Sequence, residues 1–259
     1  SIVGNDFPEK HLKMFEAKDI DISGVQVHKN EKTFYWKGLY GENVNERETL
    51  QTNVNALLGF TPDLKEKHIS PKIIVLGNIS PTAQLMLLNK LRATTKPFVI
   101  LDTMNYWINN NLAELNNVIE NADLMVINSE EAEQLTSTKD LDQAAQTLIK
   151  KGPRYVIIKK GNQGATAYSR KKNFSIKALK QEKVVDTTGA GDSFAGGLAG
   201  HLSNVREIRF DSIKEALYFA TAAASICIES FGTKALQSAT KEEICSRVDK
   251  IKNIQTFNQ

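Results

Sequence analysis

A chain of 259 residues with 41% hydrophobic content can bury a sizeable core, as one large domain or as a domain with an appendage. Its 33 Lys and Arg against 30 Asp and Glu leave a net charge of +3, with no long basic run or aromatic-basic interleaving, so no nucleic-acid partner is expected. No apolar run approaches the ~20 residues that span a bilayer, the opening SIVGNDFPEK lacks the regions of a signal peptide, and the two cysteines lack CxxC spacing. A cytoplasmic protein with reduced thiols and no membrane partner is expected.

In chain order, residues 25–42 (VQVHKNEKTFYWKGLYGE) carry β-rich runs on either side of the polar HKNE, which predicts a hairpin outside the main sheet. From Lys72 onward KIIVLGNI (72–79), FVILDT (98–103), LMVIN (124–128) and YVIIKK (155–160) read as buried strands, being nearly continuous apolar runs. Between them PTAQLMLLNKLRA, NLAELNNVIENA and LDQAAQTLIKKG place apolar residues at three-to-four spacing. That alternation predicts an α/β fold, a parallel sheet covered by helices on both faces. GATAYSRKKNFSIKAL (164–179) predicts a second hairpin turning at SRKKN, SIKEALYFATAAASICIES a buried alanine-rich helix, and TKEEICSRVDKI a last amphipathic helix capped by Thr240.

The stretch VVDTTGAGDSFAGGLAGHL (184–202) carries the chemistry. Ligands of open parallel sheets bind beyond the carboxyl ends of the strands, where helix N-termini converge. Glycines there let backbone N–H groups approach an anion, and the helix dipole favours negative charge, so Gly189, Ala190 and Gly191 form a candidate anion hole. A carboxylate beside such a hole repels a resting phosphate and needs its own reason. A general base accepting the proton of an attacking hydroxyl supplies one for Asp192; the alternative is a helix N-cap.

VVDTTGAGDSFAGGLAG resembles the C-terminal signature of the PfkB/ribokinase family of ATP-dependent sugar and nucleoside kinases. NSEEAEQLT (128–136) and KKGNQGA (159–165) before it and ATAAASICIESFGT (220–233) after it appear in that family's order, and the likeness covers essentially the whole chain. The resemblance implies one ribokinase-like domain, a three-layer α/β/α arrangement with a mostly parallel central sheet and a small β lid that contains the hairpin at 25–42. It implies Asp192 as catalytic base and the amides of Gly189, Ala190 and Gly191 as stabilisers of the transferring phosphoryl group.

By the same resemblance Asn128 and Glu131 organise Mg2+ largely through water, and their three-residue interval puts both side chains on one helical face; a helix cap followed by a surface glutamate is the alternative. Lys159, Lys160, Gly161 and Gly164 match the nucleotide-binding loop, where a lysine meets ATP phosphates or is solvated instead. Adenine is expected near Thr221, Ala222 and Ser225, against the alternative that these small residues serve close packing. Asp186 and Thr188, with carbonyls around Cys227, Ser230 and Gly232, match the positions that hold K+ in some members; Asp186 bracing the loop is the other reading.

The family's opening strand and helix, with a glycine-pair motif and an early Asp or Asn for the substrate hydroxyls, are not matched, so a chain lacking the usual first several dozen residues is expected. The acceptor is correspondingly open. Asn43, Asn45 and Arg47 in the lid region, and Asn78, Asp102 and Asn105 at strand ends, are the candidate substrate contacts, with exposed polar lid residues as the alternative for the first three. Phe34, Tyr35 and Trp36 stack on a base, close a homodimer through the lid, or pack the lid core. The leading expectation is phosphorylation of a primary hydroxyl of a sugar, the alternative a nucleoside kinase acting on the ribose 5′-hydroxyl, and from another class a non-catalytic nucleotide sensor.

Overall fold

The computed structural model describes residues 1–41 and 47–256. They divide into two compact units, Ser1–Pro71 with Ile79–Pro97, and Lys72–Asn78 with the chain from Phe98 onward.

The first unit contains β1 (Ile2–Gly4), α1 (Glu9–Glu16), β2 (Gln26–His28), β3 (Tyr35–Tyr40), β4 (Arg47–Asn53) and α2 (Pro81–Arg92). The hairpin expected within residues 25–42 does not form. Instead β2 pairs in parallel with β1, Ile2 opposite Gln26, and β3 pairs antiparallel with β4, Tyr35 opposite Asn53. The reason lies in residues 28–33. The His28 ring nitrogen Nδ1 accepts from the amides of Asn30 and Glu31. The chain is then laced to β1 and the residues after it, with the Gly4 amide donating to Thr33 Oγ1 at 3.0 Å, the Asn5 amide to the Glu31 carbonyl at 3.0 Å and the Thr33 amide to Asp6 Oδ1 at 2.7 Å. The approach is so close that a Cβ on Gly4 would lie 2.1 Å from the Lys32 carbonyl carbon. Ile2, Ala56, Leu57, Phe60 and Ala83 form the small core, with Phe34, Val54 and Ile79 against it. Phe34 thus packs the lid side, whereas Tyr35 is half exposed and Trp36 donates to Thr49 Oγ1 at 3.3 Å. Pro81 opens α2 behind Ser80, whose hydroxyl accepts from the Ala83 amide.

The second unit is built on a six-stranded sheet. Its strands are β5 (Ile73–Leu76), β6 (Phe98–Asp102), β7 (Leu124–Asn128), β8 (Tyr155–Lys159), β9 (Ala165–Tyr168) and β10 (Asn173–Ile176), in the order β10-β9-β8-β7-β6-β5. β5 to β8 are parallel, and β9 and β10 add the expected antiparallel hairpin. Its helices are α3 (Asn105–Asn110), α4 (Leu112–Glu120), α5 (Ser129–Thr136), α6 (Leu141–Lys151), α7 (Ala190–Ser203), α8 (Phe210–Cys227), α9 (Lys234–Ser238) and α10 (Lys241–Thr256).

Side chains alternate across the strands, which sorts the two faces. Ile100, Leu124, Val126, Tyr155 and Ile157 enter a core with Phe194, Leu198 and Leu202 of α7, Ile213, Ala216, Leu217 and Ala220 of α8, and Val248 and Ile251 of α10. The intervening Leu101, Met125, Ile127, Val156 and Ile158 are equally buried on the face where α5 and α6 pack. Both faces being covered explains why the strands read as unbroken apolar runs. Among the described residues no helix is long and apolar enough to cross a membrane.

Candidate active site

The carboxyl ends of β6, β7 and β8 deliver Asp102, Asn128 and Lys159 to one edge of the sheet. Asn128 and Lys159 are register partners, and Ser129 Oγ donates to the Lys159 carbonyl at 3.3 Å. Lys159 Nζ lies 3.8 Å from Asp102 Oδ1, with the two side chains 18% and 12% exposed. A Cβ on Gly191 would come within 3.0 Å of the same nitrogen. The ammonium therefore stands beside the first turn of α7.

That turn differs in detail from expectation. Gly189, left-handed at φ 82°, occupies the N-cap position, so Asp192 is not the cap but sits in the first turn of the helix. No side chain caps α7. The Ala190 amide closes the turn onto the Thr187 carbonyl at 3.2 Å and is engaged there. The amides of Gly189, Gly191 and Asp192 have no acceptor among the described residues, which moves the expected donor set from Gly189, Ala190 and Gly191 to a set that includes the amide of Asp192. Ser193 fixes the turn from below, its amide and hydroxyl both donating to the Gly189 carbonyl, at 2.9 and 2.8 Å. The Asp192 carboxylate is exposed and makes no hydrogen bond or ion pair among the described residues. Uncapped amides, a helix N-terminus and a largely buried ammonium together suit a polyphosphate.

Asn128 and Glu131 form a reciprocal capping box. Asn128 Oδ1 accepts from the Glu131 amide at 2.8 Å, and Glu131 Oε2 accepts from the Asn128 amide at 2.9 Å. Glu131 is 3% exposed, not the surface residue of the capping alternative. Among the described residues no three His, Cys, Asp or Glu side chains gather to hold a metal ion. A divalent ion at this edge would accordingly draw most of its ligands from phosphate and water, which suits Mg2+.

The loop after β8 is fixed by its backbone, the Lys160 amide donating to the Gly164 carbonyl at 2.7 Å. Gly161 has φ 56° and Gly164 φ 95°, and a Cβ on Gly164 would fall 1.9 Å from the Ile176 carbonyl oxygen, so only glycine fits there. Ala222 lies inside the core, as the close-packing alternative has it. Thr221 Oγ1 is buried without a partner, and Ser225 Oγ donates to the Ala222 carbonyl at 2.7 Å.

Asp186 braces its own loop, Oδ1 accepting from the Thr188 amide at 2.9 Å. The Thr188 carbonyl accepts from Cys227 Sγ at 3.5 Å, and Ser230 Oγ accepts from the Ala235 amide at 2.9 Å. Burial pushes the Cys227 thiol up; Ser193 opposes this, and the charges of Asp186 and Asp192 add to it. Of the substrate candidates, Asn78 Oδ1 accepts from Trp107 Nε1 at 2.7 Å, and Asn105 Nδ2 donates to Glu130 Oε1 at 2.7 Å while its Oδ1 is buried without a partner. Asn43 and Asn45 lie outside the described residues, and of Arg47 only the backbone at the start of β4 is described.

A model of the pfkB family carbohydrate kinases matches residues 1–240. The chain belongs to that family. As a pfkB-family member it is by class a phosphotransferase with an alcohol group as acceptor. A cytidine kinase from Thermococcus kodakarensis is 31% identical over 203 residues, covering 77% of this chain and 71% of that protein. An adenosine kinase from Saccharomyces cerevisiae is 29% identical over 179 residues, 62% of this chain and 53% of that one. Among solved structures, a nucleoside kinase from Methanocaldococcus jannaschii superposes with a TM-score of 0.77 at 22% identity, covering 96% of this chain and 79% of that chain. A ribokinase from Giardia lamblia gives a TM-score of 0.80 at 18% identity, covering 95% and 81%. At these identities the structures establish the ribokinase fold, and ATP with Mg2+ is named for an Escherichia coli member of the fold.

One residue of this pfkB-family chain escaped sequence reasoning. Arg247 of α10 donates to Ser225 Oγ at 3.1 Å and to both oxygens of Glu229 at 2.9 Å, and reaches Glu243 at 2.7 Å. It fixes Ser225 from a helix that carries no family motif. A cleft of about 540 Å³ beside it, lined by Lys180, Lys183, Glu229, Glu243 and Lys250, shares no residue with the α7 turn.

Proposed function

We propose that this chain transfers the γ-phosphoryl group of ATP to the 5′-hydroxyl of a nucleoside. The observation that carries the acceptor class is the 31% identity to a cytidine kinase across 77% of the chain. A free sugar hydroxyl, the leading expectation from sequence, is the second reading, favoured by the fold match to a ribokinase at TM-score 0.80.

The site residues take these roles in the proposal. The amides of Gly191 and Asp192, at the uncapped start of α7, donate to oxygens of the transferring phosphoryl group, and the Lys159 ammonium adds a positive charge beside them. Asp192, exposed and unengaged among the described residues, accepts the proton of the acceptor hydroxyl as its oxygen bonds to the γ-phosphorus and the bond from that phosphorus to the bridging oxygen breaks, releasing ADP. Asn128 and Glu131 hold the metal's water shell from the first turn of α5. Mg2+, when bound with ATP, supplies neutralisation of the phosphate charge. The loop of Asp186 and Thr188 is where a monovalent cation is proposed, checked by comparing rates in potassium and in choline salts.

ADP release measured across a panel of nucleosides and free sugars tests the acceptor. Cytidine, adenosine or another nucleoside phosphorylated with a kcat/KM at least tenfold above any free sugar is expected. The reverse order returns the sugar reading, and no turnover with any acceptor alongside intact ATP binding leaves the sensor.

A further inference from the structure

We propose that Asp102 is a positioning residue that holds the Lys159 ammonium at the mouth of α7, and not a ligand of the phosphoryl acceptor. The assignment rests on the kinase reading of the same site.

Asp102 ends β6 and Lys159 ends β8, with β7 between them. The register aligns Asp102 with Val126 and Val126 with Ile157, so Lys159 starts two residues farther along its strand. Its four-carbon stem leans back to reach the acid. Asp102 is 8% exposed, and Oδ1 already accepts from the Thr103 amide at 3.0 Å. A carboxylate so enclosed presents little surface to a sugar, whereas it faces the ammonium directly.

The 3.8 Å separation is the informative number. It lies outside the roughly 2.7–3.2 Å of an N–H···O hydrogen bond. Charge attraction therefore localises the ammonium while its protons stay available to another acceptor. No hydrogen bond of Nζ is seen among the described residues. A lysine is a flexible point charge with much rotamer freedom to lose on binding. Holding it beside Gly191 before a phosphate arrives removes that loss from the binding step, which is preorganisation. Asp102 achieves this from two strands away, on the rigid edge of the sheet.

The variants Asp102→Asn, Asp102→Glu, Lys159→Met and the double variant Asp102→Asn with Lys159→Met test this in the full-length protein, with melting temperature recorded for each. Lys159→Met is expected to lower kcat and weaken ADP binding. Asp102→Asn is expected to lower kcat about tenfold with acceptor KM within about threefold, Asp102→Glu to recover part of the loss, and the double variant to be no slower than Lys159→Met, because partners acting through one group are not additive. Losses that multiply, or a raised acceptor KM at unchanged kcat in Asp102→Asn, would overturn the assignment. A readout without any acceptor separates it from the kinase reading: in the ligand-free protein the ¹³C relaxation of dimethylated Lys159 should report a more mobile side chain in Asp102→Asn and a restrained one in Asp102→Glu. Unchanged mobility of Lys159 in Asp102→Asn means that Asp102 does not hold the lysine, whatever the acceptor proves to be.

Discussion

Gly191 and Lys159 face each other across the mouth of α7, such that a Cβ on the glycine would sit 3.0 Å from the lysine nitrogen. The neighbour is the far end of a flexible side chain, so a methyl group there displaces the ammonium rather than the backbone. Gly191 is helical without a positive φ, where alanine is favoured over glycine by up to about 1 kcal/mol. Gly191→Ala should therefore leave the melting temperature unchanged or slightly raised while weakening ADP affinity by about tenfold. Calorimetric titration with ADP beside a thermal melt checks both halves; unchanged affinity would show that Gly191 is not part of the phosphate cradle.

The capping box at the start of α5 lets stability be separated from metal use. Glu131→Gln keeps an oxygen that accepts from the Asn128 amide, so helix and fold should be retained. It removes the charge, so the Mg2+ concentration for half-maximal rate should rise several-fold. Asn128→Ala removes the acceptor of the Glu131 amide and should cost about 1 kcal/mol in denaturant melts. Glu131→Gln with an unaltered Mg2+ requirement would leave Glu131 as a helix cap alone.

His201 gives a pH dependence with a definite sign. It stacks on Phe219 at 4.4 Å between ring centroids, and burial pushes its pKa below 6.5, with Glu215 opposing and Lys252 adding to the shift. The folded protein resists a proton that the unfolded chain accepts, so the contribution is full above about pH 6.5 and is lost as pH falls through the depressed value. His201→Phe keeps an aromatic ring and removes the titration. Between pH 7.5 and 5.5 the wild type should lose more stability than His201→Phe in urea melts; parallel losses would mean that the imidazole titrates alike folded and unfolded.

What could be read in advance follows from where the signal is stored. β5 to β8 carry it locally, because a strand buried on both faces is apolar throughout, as Leu124 to Ile127 are. The pairing of β2 with β1 is not local: Ile2 to Gly4 is three residues long and finds Gln26 to His28 only after α1, while the HKNE segment imitates a hairpin turn. The GAGD glycines suggest an anion site, yet which amides there lack an acceptor among the described residues depends on the left-handed Gly189 and on the Thr187 carbonyl reaching Ala190. Asp102 and Lys159 were each legible as strand ends. Their pairing was not, since it spans β7 and depends on register.

Asp192 carries the prediction that decides most. It stands in the first turn of α7 behind Gly189, which holds the cap position, and its carboxylate is exposed. Asp192→Asn keeps the shape and removes a charge that repels phosphate, so ADP affinity should be retained or modestly improved. Turnover should fall, because an amide cannot take the hydroxyl proton, and general-base contributions run on the order of a hundred- to ten-thousand-fold. The loss should appear in kcat rather than in nucleotide affinity, as for an interaction made in the transition state. A carboxylate serving only the helix dipole behaves differently: its removal costs at most about 1 kcal/mol of stability and leaves the rate alone. Melting temperature, ADP affinity and kcat measured together on wild type and Asp192→Asn separate the two. A kcat within threefold of wild type, with or without a lowered melting temperature, would show that Asp192 complements the helix dipole and that the proton leaves by another route.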